Sequence, residues 1–227
     1  MDLPVVCVEL EGVVVDTDAV RRAALAGALE AEGLILTGAA AAAARGYTVE
    51  EGVRRARRVL GAAEDETAVE LGRLRAERTF AARIGQGILV QPTAKATLER
   101  LTSHCRLAVV TRASRREVEF LLTLAGLDAL FRPVIALEDA TPGKPAHAPW
   151  QLAMERVGQL FPGQRLRGIA IEDHVVGIRG ARTAGLRCVG VGPLPAHEAL
   201  EADAWLESIA DLTPERLRAF TAGATNP

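Results

Sequence analysis

The chain has 227 residues, with 27 lysines and arginines against 29 aspartates and glutamates and a formal charge of −2 at pH 7. That balance points to neither nucleic acid nor a membrane surface as partner, and no apolar run approaches the roughly 18 residues of a membrane span. With 49% apolar and 25% charged residues, the composition is that of a globular chain long enough for one large domain, or for a core with a smaller insert.

The three cysteines, Cys7, Cys105 and Cys188, stand in or beside apolar, strand-like runs. Their number is odd and their spacing is not that of a metal site, so buried reduced thiols in a reducing compartment are expected. No charged-then-apolar leader opens the chain, and a cytoplasmic protein is expected. His104, His147, His174 and His197 share no metal-ligand spacing and receive no role.

The first predicted element is the most informative. Val5-Val6-Cys7-Val8 has the length and composition of a buried parallel strand. It runs into Glu9-Leu10-Glu11-Gly12, then a second apolar run, Val13-Val14-Val15, closed by Asp16-Thr17. Two acids at the carboxyl end of a buried strand cost desolvation unless a cation compensates. A divalent metal or a phosphate-handling site would supply that compensation. Asp16 and Thr17 read as the turn into a helical segment.

From Asp18 to Gln86 there is no convincing strand. Ala19–Glu32, the alanine run Ala39–Arg45, Val49–Leu60 and Asp65–Ile84 are built of good helix formers, punctuated by Gly33, Gly38, Gly46 and Gly61. The segment reads as a helical cap inserted after the first strand.

Strand and helix signals then alternate, which predicts a parallel sheet. The expected strands are Arg106–Val110, Val134–Leu137, Gly168–Ile171 and Arg187–Val191. The expected helices are Ser114–Leu124, Pro149–Gly158, Val175–Ala184 and a last one within Trp205–Phe220 opened by Thr213-Pro214-Glu215. Ser114 with Glu117 three residues on is a capping box, and Gly185 closes its helix.

Each polar candidate falls at the carboxyl end of a predicted strand or in the loop after it. Glu9 and Glu11 follow the first strand, Thr111 the second, Lys144 the third, and Glu172-Asp173 the fourth. In an open parallel sheet those ends share one crevice. A hydroxyl and a lysine can hold phosphate oxygens while carboxylates hold a divalent ion. Glu172 and Asp173 also stand where acids cap the helix opening at Val175, so they carry a purely local reading as well. Arg45-Gly46-Tyr47-Thr48 reads equally as a plain interhelical turn.

The run from Val8 to Thr17 resembles the first motif of the haloacid dehalogenase (HAD) superfamily, usually Asp-x-Asp-Gly-Thr-(apolar)-x-Asp-Thr/Ser. Here Glu9 and Glu11 replace both leading aspartates, and Val13 replaces the threonine. Val110-Thr111-Arg112-Ala113-Ser114 resembles the second motif and Gly143-Lys144-Pro145-Ala146 the third. Ile171-Glu172-Asp173-His174-Val175-Val176-Gly177-Ile178, with Ala181, Ala184 and Gly185, resembles the fourth. His174 stands where the family usually has serine, and Ala148 where it often has aspartate. The cap position and the Gly177…Gly185 pattern point to the β-phosphoglucomutase and phosphoglycolate phosphatase branch.

The resemblance implies an α/β fold: a Rossmann-like parallel sheet core over residues 1–17 and 87–227, a helical cap over 18–86, and substrate between them. It implies a Mg²⁺-dependent phosphatase or phosphomutase-like hydrolase of a small phosphorylated metabolite. Glu9 would attack phosphorus and Glu11 would serve as acid and base. Thr111, Arg112 and Lys144 would hold the phosphate, with Arg45 from the cap. Glu9, Glu11, Glu172 and Asp173 would hold Mg²⁺. Two other readings share the fold: a catalytically silent protein that binds metal and phosphate as a sensor or partner, and a dehalogenase. The acidic pair Glu172-Asp173 and the second acid Glu11 count against the dehalogenase, whose reaction needs no metal.

Overall fold

Four successive residues without a polar side chain, Val5–Val8, form strand β1, and all four are buried, as a strand covered on both faces requires. The computed structural model describes residues 3–86, 89–90, 93–140, 146–193 and 195–222. After β1 come β2 (Val15–Asp16) and four helices: α1 (Asp18–Glu30), α2 (Gly38–Ala44), α3 (Val49–Val59) and α4 (Glu66–Ile84). The chain continues through β3 (Leu89–Val90), α5 (Ala94–Leu101), β4 (Arg106–Val110), α6 (Arg115–Ala125), β5 (Val134–Ile135) and α7 (Ala148–Leu160). It ends with β6 (Gly168–Glu172), α8 (Val175–Thr183), β7 (Arg187–Val191), α9 (Ala196–Ala199), β8 (Ala204–Leu206) and α10 (Pro214–Ala222).

Six strands form one sheet in the order β5-β4-β1-β6-β7-β8, while β2 and β3 make a separate two-stranded sheet. Every ladder of the large sheet is parallel. Val6 lies between Leu107 and Ile169, and Val8 between Val109 and Ile171, so β1, β4 and β6 end together. On one face Val5, Cys7, Ala108, Val110, Ala170 and Cys188 pack with Trp150, Ala153 and Val157 of α7 and Ile178 and Ala181 of α8. All three cysteines are free and buried.

Packing divides the chain into two units, one running through Val15 and resuming at Val90, the other Asp16–Leu89. The sequence sets these borders at Thr17 and Gly87; Gly87 lies outside the described residues. Within the helical unit Leu29, Ala40 and Ala56 form a buried core, flanked by Leu25, Leu34, Leu36, Ala44 and Leu60. The alanine run becomes a helix because Thr37 accepts the Ala40 N–H at its start (3.2 Å) and alanine loses no side-chain entropy. Asp65 caps α4 through the N–H groups of Thr67 and Ala68. Arg57 and Glu32 pair in the interior of this unit.

The sequence reading omits α5, α9, β2 and β3, and the sheet differs from it in two further places. The strand expected over Val134–Leu137 stops at Ile135, because the Asp139 carboxylate takes the Ala136 N–H (2.8 Å) and a 3₁₀ turn follows over Leu137–Asp139. The short strand β8 is absent from the sequence reading. With three residues and only Leu206 buried, it has no periodicity to detect, and it forms by pairing with the edge of β7. Among the described residues no helix is long and apolar enough to cross a membrane.

Candidate active site

The parallel register carries one residue beyond β1, where the Glu9 N–H donates to the Ile171 carbonyl (2.9 Å). Glu9 is buried, and its carboxylate turns back so that Oε1 accepts the Leu10 N–H at 2.7 Å. The Thr111 hydroxyl lies near the same carboxylate and favours its charged form. Thr111 is itself held at the end of β4 by its N–H to the Ile135 carbonyl (3.0 Å), and its Oγ1 accepts the Ala113 N–H (3.3 Å). Burial pushes the Glu9 carboxyl well above the ordinary range, and the charge of Glu172 adds to it. Thr111 opposes the shift, while Asp173 and Glu11 reinforce it.

After Glu9 the chain winds tightly, with the Val14 and Val15 N–H groups both on the Leu10 carbonyl (2.9 and 3.1 Å) and the Gly12 N–H on Val15 (2.8 Å). Gly12 adopts φ 81°, and a Cβ there would overlap the Asp173 carboxylate. Glycine is thus required twice, for its backbone and for the room it leaves. Glu11, within this loop, and Asp173, directly after β6, are half-buried, and the Asp173 carboxylate lies against Gly12.

At the end of β6, Glu172 is 3% exposed, and its Oε2 accepts the N–H groups of Asp173 (2.8 Å) and His174 (2.9 Å). Burial raises its carboxyl to about 7, helped by the Asp173 charge and opposed by Arg112 and those two N–H bonds. His174, given no role from sequence, is the N-cap of α8, its Nδ1 accepting the Val176 N–H at 3.3 Å. Ser114 and Glu117 form the expected capping box on α6.

At the ends of β1, β4 and β6, Glu11, Thr111, Glu172 and Asp173 act electrostatically on Glu9, and Asp173 and Arg112 on Glu172. Lys144 lies outside the described residues. Arg45 ends α2 in the helical unit, where Tyr47 stacks under Arg55 (3.7 Å) and Thr48 caps α3. The position of Gly177 against Glu172 is not legible in the sequence, which marks Gly177 as a motif position without showing what lies against it.

The sequence model of haloacid dehalogenase-like hydrolases matches residues 5–185. The chain belongs to the haloacid dehalogenase-like hydrolase family. Among solved structures, a β-phosphoglucomutase from Clostridium difficile is 18% identical, with 98% of each chain covered and a TM-score of 0.81. A predicted phosphoglycolate phosphatase from Haemophilus somnus is 21% identical over 93% of this chain and 96% of its own (TM-score 0.75). CbbY from Rhodobacter sphaeroides, solved with phosphate, is 21% identical over 92% and 96% (TM-score 0.73). No curated protein matches.

HAD hydrolases generally use a divalent metal ion. The strand-end acids of this HAD core suit such an ion in donor type and charge: carboxylate oxygens are hard ligands, and a cation would relieve the repulsion that raises Glu9 and Glu172. Among the described residues, however, no three His, Cys, Asp or Glu side chains are gathered to hold a metal. The expected set of four is not assembled in this arrangement, because Glu9 and Glu172 each give an oxygen to neighbouring backbone N–H groups.

Proposed function

We propose that the chain is a Mg²⁺-dependent phosphomonoester hydrolase, phosphatase or phosphomutase-like, acting on a small phosphorylated metabolite in the cytoplasm. The observation that carries this reading is the buried Glu9 carboxylate beside the Thr111 hydroxyl amid three further acids at the ends of adjacent parallel strands. The likeness to β-phosphoglucomutases and to the phosphate-bound CbbY supports it.

In this reading Glu9 attacks phosphorus and forms an acyl phosphate, expelling the alcohol oxygen. Glu11 gives that oxygen its proton and then takes one from the water that hydrolyses the acyl phosphate. Thr111 donates to a phosphate oxygen, Arg112 and Lys144 balance phosphate charge, and Arg45 meets the phosphorylated substrate. Glu9 and Asp173, with the Glu11 carbonyl, would hold Mg²⁺, and Glu172 would assist directly or through water. The ion would supply positive charge that keeps Glu9 ionised and screens the phosphoryl oxygens.

The extra methylene of each glutamate moves its carboxylate on the order of 1 Å, a displacement able to cost about 100-fold in rate. One observation favours the second reading, a silent metal- and phosphate-binding protein: the Glu9 carboxylate is turned back onto the Leu10 N–H. Phosphate release from a panel of small phosphorylated metabolites, by wild type and Asp173→Asn with and without Mg²⁺, separates the two. Release that requires both Mg²⁺ and Asp173 is expected. A folded wild type no faster than the variant would establish the silent reading.

A further inference from the structure

The turn that carries Thr111 and Arg112 is stitched to the segment running on from β5. The Thr111 N–H donates to the Ile135 carbonyl (3.0 Å), and the Leu137 N–H donates to the Ala113 carbonyl (2.9 Å). At the opening of α6 the Arg115 N–H donates to Glu138 Oε2 (2.7 Å), which satisfies one of the amides that a helix start leaves without a carbonyl partner. The Arg115 guanidinium crosses back to the Val134 carbonyl (3.1 Å).

Asp139 joins these contacts to a third element. Its Oδ2 accepts the Ala136 N–H (2.8 Å) and pairs with Arg115, while its Oδ1 accepts from Arg156 of α7 (2.8 Å). Its side chain is only 15% exposed. The end of β5, the start of α6 and the body of α7 therefore meet on one carboxylate, through charge-assisted bonds that are stronger than neutral ones. Both oxygens are engaged within the protein, so any effect of Asp139 on a phosphate passes through the turn it holds.

We infer that Asp139 is a positioning residue: by tying Arg115 of α6 and Arg156 of α7 to the turn after β5, it fixes the Thr111–Ser114 turn and sets the Thr111 hydroxyl for a phosphate oxygen. The phosphate test of this role rests on the function proposed for Thr111; the backbone test does not.

A carboxylate that only stabilises the fold lowers the unfolding midpoint when removed and leaves the folded site as it was. A positioning carboxylate changes the folded site. Asp203 supplies a matched control. It too accepts a backbone N–H, from Cys188 (2.8 Å), and pairs with an arginine, Arg182 (3.6 Å). Those contacts lie at the start of β7, away from the strand ends that carry Thr111.

Asp139→Ala, Asp139→Asn and Asp203→Ala in the full chain would be compared with wild type. The readouts are the urea midpoint, the amide proton shifts of Thr111 and Ala113, and affinity for inorganic phosphate in the presence of Mg²⁺ by calorimetry. Positioning predicts that folded Asp139→Ala moves both amide shifts and binds phosphate roughly 10-fold more weakly, the scale on which a group that orients a binding residue acts. Asp203→Ala should lose stability and leave both site readouts as in wild type. Unchanged phosphate affinity or unmoved shifts in folded Asp139→Ala would overturn the inference, whatever its stability, and so would an equal loss of affinity in Asp203→Ala. If Asp139→Ala does not fold, Asp139→Asn, which keeps an acceptor for the Ala136 N–H and loses the charge, decides by the same criteria. If wild type binds no phosphate, the functional reading fails and the amide shifts decide alone. Shifts moved in the Asp139 variants but not in Asp203→Ala support the tie; shifts unmoved in all three refute it.

Discussion

At the scale of single residues, the site turns on small differences in reach. Glutamate in place of aspartate keeps charge and oxygen ligands, yet the longer side chain allows Glu9 to fold back onto the Leu10 N–H. An acid one methylene shorter would find that contact hard to make without bending the backbone. Gly12 is equally constrained: at φ 81°, with the Asp173 carboxylate where a Cβ would sit, any side chain strains the backbone and displaces that carboxylate. Gly12→Ala is expected to destabilise the fold by roughly 1–3 kcal/mol, from the left-handed backbone and the displaced carboxylate. Urea unfolding monitored by circular dichroism checks it, and a change under about 0.5 kcal/mol would show that the loop simply relaxes.

At the scale of elements, helix starts decide where site residues point. Ser114 accepts the Glu117 N–H (3.3 Å), and Glu117 returns a bond to the Ser114 N–H (3.0 Å). The opening of α6 is thereby fixed directly after Thr111 and Arg112. Ser114→Ala should cost about 1 kcal/mol in equilibrium unfolding, the typical value of a lost cap. The start of α8 is more elaborate, since His174 caps Val176 while Glu172 takes the two N–H groups before the helix. The loop after β5 is organised by an acid as well. Asp139 accepts from Ala136 and pairs with Arg115 and Arg156, and those bonds hold its carboxyl below the usual range despite partial burial.

At the scale of the whole molecule, the buried acids couple stability to pH. The Glu172 carboxyl sits near 7 in the folded chain against an ordinary 4.5, and Glu9 is shifted in the same direction. Between those values the native state keeps a proton that the unfolded chain has released. Stability without divalent metal is therefore expected to fall as pH rises from about 4.5 to 7, by roughly 3 kcal/mol for Glu172 alone, with Glu9 adding to the fall. Urea midpoints between pH 5 and 8 in a chelator measure this. Glu172→Gln should flatten the curve, and a wild-type curve that rises through the window would contradict the burial argument.

Much of this protein is legible from its residues because the signals are local. The apolar run Val5–Val8, the alternation after Arg106, the Ser114/Glu117 box and the glycines after helices each act over a few residues. Strand polarity then places Glu9, Thr111 and Glu172 at one end of the sheet without any coordinates. β8 is not legible, since a three-residue strand exists only where β7 offers an edge. The direction of each carboxylate is not legible either. Sequence spacing treats Glu172 and Asp173 as an equivalent acidic pair. The tertiary structure separates them, because Gly177 opens a seat for one carboxylate and Gly12 sets the other against the loop. Which way a buried acid turns depends on where backbone N–H groups and empty volume lie around it, and residues distant in the chain supply both.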